Sequence, residues 1–177
     1  MHRSSASAGH PLRTGGLALI RRRYRPLPWR GVEVLLVRPT YVDDPEHSYQ
    51  LPGGAALAGE PVWEAAEREV LEEIGRTRRP GRLLAVDYVP GKKEKGRAPG
   101  YNFVLDFGFV RRGTRVVLPA AAGIGEPAEL DDWAWVRPYD LDDYCQDYQA
   151  ARIREALEAA RPWRGRARML RRGLRLG

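Results

Sequence analysis

Apolar residues recur along this chain in two rhythms, one suited to strands and one to helices. Gly15 to Tyr24 reads as a first strand, closed by a turn at Pro26 and Pro28. Val32 to Arg38 carries the run VEVLLV and is the clearest buried strand, since a short unbroken apolar run fits a strand covered on both faces. Residues 39–48 form a loop containing proline and aspartate, and Tyr49 to Leu51 lead into a glycine pair. Arg82 to Val89 and Tyr101 to Val110 are further strands, the second aromatic and β-branched enough to be central. Short strands are expected at Arg115–Leu118 and Trp133–Val136.

Helical spacing occurs twice. Pro61 suits a first helical turn and Gly75 the position just past a last one, which brackets a helix of about fourteen residues. Trp63, Ala66, Val70 and Ile74 fall on one stripe, the expected buried face. Tyr148 to Ala160, with Ile153 and Leu157 four apart, is a second amphipathic helix. Strands interleaved with two helices indicate a mixed α/β sandwich. No internal repeat is present.

The 177 residues, 43% of them apolar, fit one domain with a core of its own. Its expected limits are residues 15–160, between a disordered tail at 1–14 and an arginine-rich tail at 161–177. The net charge of +7 is mostly terminal: residues 1–30 and 161–177 each hold seven arginines and no acids, which leaves residues 31–160 at −7. The closing WRGRARMLRRGLRLG has Trp163, Leu170 and Leu174 at near-helical spacing, but Gly165 and Gly173 weaken a helix, so docking on the domain or disorder is expected. Arginine-rich tails are weak evidence for nucleic acid, and no nucleic-acid partner is expected. A single cysteine, Cys145, excludes an intrachain disulfide and reads as packing or surface rather than as a nucleophile. Three histidines assemble no relay or metal site. No apolar run reaches the length of a membrane span, and Leu17–Ile20 is too short for a secretory signal, so residence in the cytoplasm is expected.

The chemistry concentrates in Leu51-Pro52-Gly53-Gly54 and the segment that follows. Gly54 is followed after five residues by Glu60, after seven more by Arg68-Glu69-Val70, and then by Glu72-Glu73 and Gly75. Glu69, Glu72 and Glu73 lie three and four apart on one helical face, next to the buried one, where they repel one another. Such density of hard oxygen ligands suits Mg²⁺ or Mn²⁺; a solvated acidic face is the alternative reading.

This segment resembles the signature of the Nudix hydrolases, GX5EX7REUXEEXGU with U aliphatic, at every fixed position, and departs only at the last U, which is Arg76. The resemblance spans roughly residues 15–142, and its specific motif about twenty of them. It implies a Nudix-type α/β/α sandwich around a mixed sheet. It implies too that Glu69, Glu72 and Glu73 are metal ligands together with the Gly54 carbonyl, and that Arg68 and Glu60 form an ion pair fastening the loop to the helix. The implied reaction is Mg-dependent hydrolysis of a diphosphate linkage in a nucleoside diphosphate joined to another moiety, releasing a monophosphate. The general base is Glu72 or Glu73 of the box, or a glutamate ahead of a Trp-containing strand: Glu129 first, Glu126 second. A non-catalytic nucleotide-binding or regulatory module on the same fold is the alternative, although such modules usually lose a box carboxylate. A P-loop is excluded, since Gly-Lys-Ser/Thr does not follow the glycines.

Substrate contacts are sought outside the motif. Arg38, at the end of the VEVLLV strand, is where family members often present a cation. Lys92 and Lys93, in the loop GKKEKGRAPG, either close over phosphates or sit at a solvated hairpin tip. Tyr101 and Trp135 either stack on a base or pack inside, and Arg21 and Arg23, on one strand face, either reach phosphate or face water. Pro90, fourteen residues past Arg76, is consistent with the ADP-ribose branch or with an ordinary turn; triphosphates and isoprenoid diphosphates stay open, and the coenzyme A pattern is absent. A homodimer is an analogy with relatives only.

Overall fold

Successive residues of the two central strands feed opposite cores. In the computed structural model, which describes residues 12–24, 31–41, 46–91, 96, 98–120, 128–162 and 165–176, β1 (Arg13–Arg23) sends Leu17 and Leu19 to one face of the sheet and Ala18 and Ile20 to the other. Strand β2 (Val32–Pro39) divides Val34 and Leu36 from Leu35 and Val37 in the same way. Alternation of side chains along a strand produces this split, and burial of both faces explains the unbroken apolar run.

The remaining elements are β3 (Gly53–Ala55), α1 (Val62–Ile74), β4 (Leu83–Val89), β5 (Gly100–Val110), β6 (Leu130–Val136), α2 (Leu141–Tyr144), α3 (Asp147–Ala159), β7 (Arg168–Arg171) and β8 (Leu174–Arg175). They make one mixed sheet in the order β6-β2-β1-β5-β4-β7-β8, with β3 paired to β1. The β1–β5 and β4–β7 pairs are parallel and the others antiparallel. Helix α1 covers one face and α3 the other, with Val70 and Ile74 in the first core and Ile153 and Ala156 in the second. The expected layered α/β architecture is therefore present. Gly16 lets α1 lie close against β1: a Cβ there would collide with the Val62 carbonyl and with Ala66.

Two local expectations fail, and the C-terminal segment docks on the domain without forming a helix. Trp63 is 55% exposed, and the buried set is Ala65, Ala66, Val70, Glu73 and Ile74. Residues 115–118 are not a strand; Val116 is buried against the α1-side core, and the Val117 amide bonds the Ile74 carbonyl at 3.3 Å. The helical spacing of Leu170 and Leu174 is not used, and Trp163 lies outside the described residues. Instead β7 adds to β4, and a two-residue turn at Arg172-Gly173, both at positive φ, returns the chain as β8. Leu170 is buried in the α3-side core, whereas Leu174 is exposed. Helix α3 begins one residue before the expected start, and β6 three. No helix among the described residues is long and apolar enough to cross a membrane.

Candidate active site

Gly53 adopts φ 131, a conformation closed to other residues, and this turn delivers the chain from the loop onto β1. The amide of Gly53 donates to the Glu73 carboxylate at 2.7 Å. A Cβ on Gly54 would run into the Glu69 carboxylate. Two glycines are thus required where two box carboxylates press against the turn.

Helix geometry puts Glu73 inside. Ala66 and Glu73 are seven residues apart, about 20° from two full turns, so Glu73 shares the line of a core alanine and is only 6% exposed. The acidic face is therefore not beside the buried face; it overlaps it. Burial pushes the Glu73 carboxyl up to about 8, offset in part by the Gly53 amide and reinforced by Glu69, Glu129 and Glu72. Glu69 is raised too, first by burial, while Arg68 acts against the rise.

Arg68 organises the rest. Its guanidinium forks onto Glu60, with Nε to Oε1 at 2.9 Å and Nη2 to Oε2 at 3.1 Å. Nη1 reaches Glu69 at 2.8 Å and Glu72 at 3.0 Å, and Nη2 also donates to the Ala55 carbonyl at 3.1 Å. Glu60 in turn accepts the Leu57 amide at 2.8 Å. Its carboxyl is held below the usual range, chiefly by Arg68. A planar five-donor cation can join loop, turn and helix in this way, and lysine cannot.

Gly54, Arg68, Glu69, Glu73 and Glu129 line one cleft of about 440 Å³. Glu129, just ahead of β6, faces Glu69 and Glu73 closely enough to raise both. Glu72 is exposed and bound to Arg68. Among the described residues, no three acidic, imidazole or thiol side chains are already gathered as a metal triad. Glu126, Lys92 and Lys93 lie outside the described residues. Arg38 does not line the cleft; its Nε is on Asp131 at 2.7 Å, and it covers the Tyr49 ring. Nor does Tyr101, whose ring packs on Tyr88 at 5.3 Å. Gly100 and Asn102, its neighbours in the strand, line the cleft instead.

The far wall was not foreseen. It comprises Arg13 and Asn102, brought together by the parallel β1–β5 pairing, with Gln50, Tyr148, Gln149 and Arg152. Arg152 is buried at 2% exposure on Asp87, at 2.6 and 2.7 Å, and donates to Gln149 at 2.7 Å. The amide of Gly173 donates to the second Asp87 oxygen at 3.0 Å, which ties the C-terminal hairpin to this wall. The helical spacing of Gln149 and Arg152 was the only available signal.

A family model for the NUDIX domain matches residues 10–159. The RNA pyrophosphohydrolase of Afipia carboxidovorans is 31% identical over 137 residues, which cover 64% of this chain and 80% of that protein. Among solved structures, the MutT protein from Methanosarcina mazei Go1 is similar with a TM-score of 0.64 at 24% identity, over 85% of this chain and 97% of that one. An ADP-ribose pyrophosphatase from Streptococcus suis is similar with a TM-score of 0.56 at 18% identity, over 91% of this chain and 99% of that one. The likeness to the two structures is one of fold, and the family match covers most of the chain including the glycine turn and α1. By that match the chain belongs to the Nudix hydrolases, as an enzyme of their pyrophosphohydrolase type.

Proposed function

We propose that this enzyme hydrolyses the diphosphate linkage of a nucleoside diphosphate joined to another group and releases a monophosphate. The observation that carries the reading is the meeting of Glu69, Glu73 and Glu129 in one cleft beside the Gly53-Gly54 turn. Carboxylates whose neighbours raise the proton affinity of Glu69 and Glu73 form a poor stabilising arrangement and a good cation site, and their hard oxygens match Mg²⁺ or Mn²⁺. Glu69, Glu72 and Glu73, with the Gly54 carbonyl, would hold the ion. Bound there, it would neutralise phosphate oxygens and lower the pKa of a water.

The chain's own groups then divide the remaining work. Arg68 orients Glu69 and Glu72 and fastens them to the loop through Glu60. A carboxylate takes the water's proton, and Glu72, Glu73 and Glu129 are the three candidates. Arg13, Gln50, Asn102 and Gln149 line the rest of the cleft and supply donors for the substrate's remaining polar groups. The volume suits a nucleotide-sized ligand.

Incubation with Mg²⁺ and a panel of nucleoside diphosphates bearing different second groups, in ¹⁸O water, should yield a labelled monophosphate from at least one. Glu72→Gln should abolish this while leaving the thermal transition in place. Full turnover in that variant would overturn the reading.

A further inference from the structure

A second cavity, of about 350 Å³, opens at the other end of β1 and β5. It shares no lining residue with the carboxylate cleft, although Glu73 lines one and its neighbour Ile74 the other. Its floor is apolar, formed by Ile20, Leu35, Ile74 and Val116, and Phe109 and Trp135 stand at its walls. Phe109 is 41% exposed, unusual for a phenylalanine on a central strand.

The rim is cationic. Arg76, Arg78 and Arg111 line the cavity, while Arg23 stacks on Phe109, Arg112 on Tyr24, and Arg115 receives Arg76 on its backbone carbonyl. None of these six forms an ion pair among the described residues, whereas Arg21 and Arg22 beside them are neutralised by Asp106 and Glu33. Arg76 and Arg78 spend hydrogen bonds on backbone carbonyls only, which leaves their charge uncompensated. Unpaired cations of one sign gathered around an apolar slot, in a body of net charge −7 over residues 31–160, are a segregated charge pattern.

We propose that this surface binds single-stranded nucleic acid, with one base in the slot against Phe109 and Trp135 and the flanking phosphates on the arginines. Exposed aromatic faces interleaved with backbone-reaching cations are the recurrent means of holding single strands without sequence preference. The spread of charge over six residues, three of them beyond the slot, suits a polyanion rather than one phosphate. The expectation against a nucleic-acid partner rested on the arginine-rich tail; five of these six are supplied by the connections after α1 and β5 and the sixth, Arg23, by the end of β1.

The test uses the full chain and a short, unstructured, fluorescent RNA bearing a 5′ hydroxyl, which offers no diphosphate to the carboxylate cleft. Anisotropy should show binding at 50 mM salt that weakens about 20- to 50-fold at 200 mM, the slope of three or four phosphate contacts. The same sequence as a duplex should bind at least about fivefold more weakly, the low end of what one stacked base contributes. R111E/R112E, at exposed positions, should lose at least about tenfold in affinity with unchanged turnover of the small substrate, and R111K/R112K should keep most of it. Glu72→Gln should bind as the unaltered chain does, so this result is independent of whether hydrolysis is found. Absence of binding at 50 mM salt, equal binding of the duplex, or indifference to R111E/R112E would each overturn the proposal.

Discussion

The Glu73 carboxylate takes the Gly53 amide at 2.7 Å across twenty residues of sequence, and so locks the end of the box helix to the turn that begins the motif. A carboxylate so placed has two tasks in tension. As an acceptor it organises the turn, and as a buried anion it destabilises the metal-free fold.

That tension sets a pH dependence. The folded pKa of Glu73, about 8, lies above the 4.5 of an ordinary glutamate. The folded state therefore holds a proton that the unfolded state releases. Its contribution is fully present below about 4.5 and is lost as pH rises through about 8. In EDTA, the Tm of the unaltered chain should fall relative to Glu73→Gln between pH 5 and pH 8.5, and Mg²⁺ should recover most of the loss. Parallel Tm curves for the two proteins would contradict this.

Arg68→Lys should keep a positive charge but lose the fork onto Glu60. On the proposed roles Arg68 orients the carboxylates that would hold the metal, and the expected cost is about 10–100-fold in metal affinity and in kcat. Isothermal titration with Mn²⁺ reads the first, and kcat at saturating metal should partly recover.

Arg152→Ala should be the most damaging single change away from the carboxylates. It strands Asp87, which is 0% exposed, at a cost of about 3–5 kcal/mol, whereas an apolar replacement of both partners should cost far less. Urea denaturation of R152A and of the double variant R152M/D87L distinguishes lost charge compensation from lost packing.

Cys145 is buried and its thiol is pushed up to about 12, chiefly by burial. It should resist thiol reagents at neutral pH until the protein unfolds. Rapid labelling in the native state would show that α2 opens readily.

The parts legible in the sequence were those whose signals are local. The Gly53-Gly54 turn and α1 with its Gly75 end follow from spacings within a few helical turns, and the Arg68–Glu60 pair from the resemblance those spacings carry. Trp63 shares the angular stripe of Val70 and is nonetheless exposed, because periodicity gives the angle of a face and not which of its residues meet the sheet. Glu73 was set beside the core for a related reason: its charge argued against the line it shares with Ala66. The wall of Arg13, Asn102 and Arg152 was invisible because it depends on β1 pairing in parallel with β5, and on α3 crossing the opposite face. Such pairings leave no trace in local spacing.

The short C-terminal hairpin has one more effect. Without it, β4 would present an open row of amides and carbonyls, a template on which other chains could polymerise. The two residues of β8, one of them Arg175, form a poor template in its place. At the opposite margin, Asp131 and Asp132 on β6 discourage stacking by charge. Fibril seeding and light scattering should therefore separate the full chain from one ending before Arg168, because the terminal arginines act as a guard against self-association.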